Sequence, residues 1–516
     1  MLRRSALFLG VALPLAASLA APARAAPTLA TSDVVVALDA NVVGLDPADL
    51  NDNLSMTATR TMLQGLYGFD RDMKMVPVLA ESCEASPDAT VYTLHLRHGV
   101  AFHDGAPFNA QAVKTSFDRA ADPENHLKRA SLYAPIKSTD VVDEYTVRIT
   151  LKAPFGAFIN NLAHQAFAIS SPKAIAEFGR DLGRHPVGTG PYRFVSWSTD
   201  TLKVARNEHY WKPGLPKVDS ITIRSAPENG TRLAMLQAGE AQFIFPMPPE
   251  LAKVVERDPK IDVVAARSIF ARYVAMNTLR KPFDDVRVRQ ALNYAIDKQA
   301  FMKVVFAGYA VPLDSPLPTL LPGHEAQPVP YAYDPAKARA LLAEAGYPNG
   351  FETVLWGANS TTSQRGMSFL QQQLAAVGVK ASVEPLESGT AAAKIWSVKA
   401  PEEATTLMHY TAWSASTGDA DWGLRPLFYG RGFPPVLFNT AYYANKDVDA
   451  AIEAGLTTAD AAKRLDAYKA AQAVIWKDAP WIFLASDDNI SAKSKRLSGI
   501  YVMPDQQMLM EEAALN

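Results

Sequence analysis

Few residues of this chain are of a type and spacing that could carry a reaction. Nine histidines are scattered along it. The closest group is His95, His98 and His103, and no acid or cysteine completes a known metal-ligand spacing around them. They read as one face of a strand and a turn. No Gly-x-x-x-x-Gly-Lys-Ser/Thr loop exists to cradle a nucleotide phosphate. Gly188-Thr189-Gly190 runs straight into Pro191, which suits a tight turn and lacks the third glycine of a dinucleotide loop. A Gly-x-Ser-x-Gly nucleophile elbow is absent. Cys83 is the only cysteine, so no disulfide can form within the chain, and no catalytic-thiol motif surrounds it. It reads as a packed or partly shielded thiol. Asp419 and Asp421 could suggest glycosidase chemistry, but carboxylate pairs in loops are more often ligand contacts, caps or turns. The expectation is a protein that is not an enzyme and needs no metal or cofactor.

The elements that would position these residues alternate between helix and strand. Tyr92, Leu94 and Leu96 alternate with polar residues at the period of a half-buried strand. Val218 to Arg224 reads similarly, and Val34 to Leu38 is apolar enough for a central strand. Asp334 before Pro335 predicts a helix start, Ala338, Leu341, Leu342 and Ala345 share a face, and Gly346 supplies the stop. Asp284 or Asp285 caps a second helix carrying Val288, Ala291 and Leu292. Leu465, Tyr468, Gln472 and Ile475 mark a third, and Gly239 ends one bearing Leu233 and Leu236. Such mixing predicts an α/β architecture. Val311 to Pro330 is rich in proline and reads as surface loop. No repeat or low-complexity linker separates the domains.

A chain of 516 residues is too long for one core, so two or three domains are expected. The formal net charge is -2, which gives no electrostatic case for gripping nucleic acid or an anionic membrane. Arg3 and Arg4, the apolar run Ala6 to Ala21 and the small-x-small site Ala23-Arg24-Ala25 read as a signal peptide over 1–25. The run is too short and alanine-rich for a good membrane span. The mature chain is expected to begin near Ala26, without a lipid-accepting cysteine there, and to be free in the periplasm.

Four blocks in order then carry a resemblance. They are Tyr92 to Gly105, including Phe102-His103-Asp104-Gly105; Pro186-Val187-Gly188-Thr189-Gly190-Pro191-Tyr192; Leu236-Gln237-Ala238-Gly239-Glu240; and Pro282 to Leu292. Together they resemble the family 5 extracellular solute-binding proteins of ATP-driven (ABC) importers. Glu124 to Arg129, Met235 to Phe243, Trp413 to Gly418 and Leu437 to Ala441 are similar to the glutathione-binding branch of that family. The resemblance implies a periplasmic-binding-protein fold: two α/β lobes with a hinge, plus an inserted small domain. On this numbering the first lobe takes 26–58, 187–277 and 497–516, the inserted domain 59–186 and the closing lobe 278–496. It also implies capture of glutathione or a related small peptide by a monomer, and delivery to an inner-membrane permease and its ATPase. Other peptides, nickel chelates or haem are the alternatives within the class. A secreted hydrolase would need a nucleophile or metal constellation that the sequence lacks, and a periplasmic chaperone would bind unfolded chains without a preferred small ligand.

Glutathione carries one ammonium, two carboxylates and a thiol, and each buried charge must be met. The stretch Trp413 to Trp422 brings two tryptophans, serines, a threonine, a glycine and two aspartates together, and is the expected wall. Dipeptide binders of the family carry an ammonium-binding aspartate where this chain has Ser416, so Asp419 or Asp421 is expected to take a differently placed ammonium. The arginine with which those binders hold the ligand carboxylate has no clean match. Arg272 is the first candidate for that task, with Arg365 and Arg425 behind it. The expected ligand-binding residues are therefore Arg272, Trp413, Ser416, Asp419 and Trp422.

Overall fold

Two mixed β-sheets carry the fold, and the chain passes between them twice. In the computed structural model, which describes residues 32–516, the first sheet has seven strands. Asp33–Leu38 stands at its centre, parallel to Ser220–Ser225 on one side and to Phe243–Phe245 on the other. Its near-continuous apolar sequence follows from that position. Val34, Val36 and Leu38 enter one core, while Ala37 and the half-buried Val35 enter a second on the opposite face. The expected signal peptide lies outside the described residues.

The second sheet has six strands, in the order Ala310–Pro312, Trp481–Asp487, Phe270–Met276, Met408–Ser414, Glu352–Ala358 and Lys380–Leu386. Glu352–Ala358 runs parallel to both neighbours. A third, four-stranded antiparallel sheet is made from Ala80–Ala85, Val91–Leu96, Thr146–Leu151 and Ile136–Asp143. Tyr92, Leu94 and Leu96 are buried there, as their alternation predicts.

The passages between the large sheets lie side by side. Ile261–Ala266 pairs with Asn489–Ser494 in the first sheet, and Phe270–Met276 pairs with Trp481–Asp487 in the second. Between them, Arg267 donates to Asp488 (2.8 Å), Ser268 Oγ donates to the Asp487 carbonyl, and Ser486 Oγ donates to the Ser268 carbonyl (3.1 Å). The chain thus changes sheet at 267–269 and at 488. The expected lobe limits at 277 and 497 fall later, because Phe270–Met276 bonds into the second sheet and Asn489–Ser494 into the first. Periodicity marks a strand but says nothing of which sheet accepts it.

The helix Pro335–Glu344 is capped by Asp334, whose side chain accepts from Lys337 N, and Gly346 follows at φ +92°. Asp285 caps Val286–Tyr294, and Gly239, at φ +78°, closes Asn229–Ala238. Val311 to Pro330 departs from the surface-loop expectation. Leu313, Leu317 and Leu321 are buried in the core, and Ser315 Oγ donates to Gln472 (2.6 Å). A proline-rich stretch without periodicity can still lie across a core when its carbonyls and hydroxyls find partners.

Two of the sequence blocks dock on each other. His103 N donates to the Gly188 carbonyl (2.9 Å), and His103 Nε2 lies 3.0 Å from the Gly190 carbonyl oxygen. Gly190 N in turn donates to the Met62 carbonyl, and a Cβ on Gly188 would come within 2.2 Å of that same oxygen. These motifs clamp the inserted segment to the first lobe.

Candidate functional site

Both large sheets direct the carboxyl ends of their parallel strands toward the double passage. In the second sheet, Phe270 lies opposite Ser414, which puts the ends of Met408–Ser414, Glu352–Ala358 and Trp481–Asp487 on the same edge. In the first, Leu38 lies beside Ser225 and Phe245, and Ala266 opposite Asn489. Ligands of open α/β sheets lie in the crevice outside such strand ends. The candidate site is therefore the cleft at the passages.

Trp413 stands at the end of Met408–Ser414, half-buried, and its Nε1 donates to the Trp422 carbonyl at 2.7 Å. The two indoles lie 5.8 Å apart. Trp413 also packs on Phe438 at 4.9 Å, and Phe438 on Trp396 at 5.8 Å. The Ser414 hydroxyl is buried with no partner among the described residues. Ser416 is half-buried in the turn that follows. Gly418 has φ +64°, and a Cβ there would come within 2.8 Å of Phe69, so the turn rests on the inserted segment.

Asp419 has a defined internal task. It caps Ala420–Phe428 by accepting from Asp421 N, and both its oxygens accept from Arg464 Nη2, at 2.7 and 2.8 Å. Burial pushes its carboxyl up, and the Arg464 guanidinium pulls against that rise. Asp421 is held by Arg425 through Nε and Nη2. Arg272 is held by Asp487 through two contacts, 2.6 and 3.0 Å. Burial works against the Arg272 proton, but Asp487 and Tyr410 together outweigh it and raise the pKa. Trp413, Ser416, Asp419 and Trp422 thus lie within one strand–turn–helix segment and Arg272 stands at the passage, while Asp419 and Arg272 both have partners inside the protein.

Sequence reasoning missed Arg464, Asp487, Trp396, Phe438 and Glu250. No local spacing rule could pair Arg464 with Asp419, which lies 45 positions away. Phe438 had a signal in the apolar run Pro434 to Phe438. Glu250 faces Arg365 at 3.6 Å, each from the first turns of a helix that begins at the cleft end of its sheet. A cavity of about 560 Å³ lies elsewhere, between Tyr67–Phe69 and the Tyr501 to Glu512 segment. Its Lys212 is already bound to Glu511 and its Arg71 to Asp72. Among the described residues no cluster of three metal-ligating side chains is found.

Known proteins give this geometry a context. Residues 74–434 match the family model described as bacterial extracellular solute-binding proteins, family 5 (middle). The chain belongs to that family. It is 52% identical over 502 residues to the glutathione-binding protein GsiB of Pectobacterium atrosepticum, with 97% of each chain covered. To GsiB of Salmonella typhimurium it is 51% identical over 506 residues, covering 98% of each. Among solved structures it is similar to HbpA2 from Haemophilus parasuis, with a TM-score of 0.83, 28% identity, and 94% and 100% of the two chains covered. It is also similar to the periplasmic binding protein DppA from Helicobacter pylori in complex with the peptide STSA, at TM-score 0.77 and 28% identity, covering 93% and 98%. As in other family 5 binding proteins, two α/β lobes flank the cleft and a small domain is inserted. No helix among the described residues is long and apolar enough to cross a membrane.

Proposed function

We propose that this chain captures glutathione or a related small peptide in the cleft between its lobes and delivers it to an ABC permease. The observation that carries the reading is identity of about half, over nearly the whole chain, with proteins named for glutathione binding. The site supports it chemically. Trp413 and Trp422 offer aromatic faces, and Ser416 a hydroxyl group, to an uncharged part of the ligand. Asp419 with Arg464, and Arg272 with Asp487, fix the walls. The γ-glutamyl head carries ammonium and carboxylate on one carbon, and Arg365 and Glu250, both partly exposed across the cleft, would open to receive that zwitterion.

The chain acts as an exported, monomeric carrier whose residues 1–25 are removed, and it performs no chemistry on its ligand. N-terminal sequencing of exported protein should begin at or near Ala26; Met1 would contradict export by cleavage. Native mass spectrometry of the protein purified without unfolding tests the ligand. Retained mass equal to glutathione or a γ-glutamyl peptide is expected, and an ordinary peptide, metal chelate or haem in its place would reject the assignment.

A further inference from the structure

Glutathione leaves part of the cleft wall without a task. Side chains alternate along Met408–Ser414, so His409 and Trp413 project from one face. Along that face runs a row of rings, with Trp396 edge-on to His409 at 5.5 Å, Phe438 on Trp396, and Trp413 on Phe438. The row is not closed over. Phe438 exposes 37% of its surface and the neighbouring Val436 72%. Among the described residues no cation stands over Trp396, Trp413 or Phe438, whereas Arg425 stands over Trp422.

An apolar strip at the mouth of a binding cleft marks a contact surface. The one apolar projection of free glutathione is its CH₂–SH group, which covers a fraction of a single ring. The second half of oxidised glutathione would bring an ammonium and two carboxylates to rings with no charged partner. A sulfur bearing an alkyl or aryl group matches the strip in polarity and size, and a thioether sulfur packs well against aromatic rings. We propose that the row Trp396–Phe438–Trp413 holds an apolar substituent on the ligand's sulfur, so that the protein takes S-substituted γ-glutamyl peptides, the thioether conjugates of glutathione, more tightly than the free thiol. This rests on the glutathione reading and extends it to a ligand class.

Calorimetry on the purified full-length mature protein tests it, with glutathione, S-hexylglutathione and oxidised glutathione as titrants. S-hexylglutathione should bind about tenfold tighter than glutathione, or more, as several methylenes leave water. Phe438→Ala should bring that ratio close to one, and Phe438→Leu should keep most of it. S-(2,4-dinitrophenyl)glutathione should also quench the tryptophan emission of the wild type, a readout that needs no variant to fold. Equal or weaker binding of the hexyl conjugate, or a ratio that survives Phe438→Ala, would overturn the proposal while leaving glutathione capture intact. If neither glutathione nor its conjugates bind, the glutathione reading falls and this inference with it.

Discussion

Arg464 and Asp419 meet in a nearly dry setting, which makes each dependent on the other. Removing one partner of a buried pair leaves an uncompensated charge and costs about 3–5 kcal/mol, whereas replacing both by apolar groups is far milder. Arg464→Leu should therefore lose about that much in urea unfolding, and the double variant Asp419→Leu with Arg464→Leu should recover most of it. Two histidines set the acid limit. Burial lowers His164 to about 3, helped by Arg129 and Arg60, and lowers His409 to about 4. His164 Nδ1 accepts from Ala166 N, which requires the neutral ring. The unfolded chain protonates near pH 6.5. Below that pH it binds protons that the fold refuses, so stability is complete above about pH 6.5 and falls toward the folded values. Two such sites should remove about 3 kcal/mol between pH 6.5 and pH 5. His164→Asn, which still offers an acceptor, should halve that loss in unfolding curves measured at both pH values.

At the scale of elements, local signals were readable and long-range ones were not. The caps at Asp334 and Asp285, the stops at Gly239 and Gly346, and the central strand at Val34 all follow from neighbouring residues. The sheet that accepts Phe270–Met276 does not, nor does the burial of Leu317 and Leu321, because both are decided by contacts far along the chain. The same holds in the site: Trp413 to Trp422 stood out by composition, but Arg464, Asp487 and Phe438 acquire their roles only through packing. Gly418 shows how an element boundary can be tested. Its positive φ and its approach to Phe69 leave no room for a methyl group. Gly418→Ala should destabilise the protein by about 1–3 kcal/mol in thermal or urea unfolding and weaken ligand binding by shifting Trp413 and Ser416. Unchanged stability would mean that the turn does not rest on the inserted segment as described.

For the whole molecule, the paired passages at 267–269 and 488 are the natural pivot, since only two strands and a few hydrogen bonds join the sheets there. A ligand that touches both lobes favours the closed arrangement by its differential affinity for it. Saturating ligand should reduce the radius of gyration in small-angle scattering. At about 100 times the dissociation constant, ligand should add about 2.7 kcal/mol of stability. An unchanged radius would count against a hinge at the passages. The central claim is that the cleft is built for a γ-linked glutamyl head and not for the free terminus of an ordinary peptide. Titration calorimetry of the wild type with glutathione and with Ala-Ala decides it most directly. Glutathione should bind with clear preference, because Ala-Ala would present its ammonium where Ser416 offers no carboxylate. Equal binding of the two, or binding of Ala-Ala alone, would contradict it.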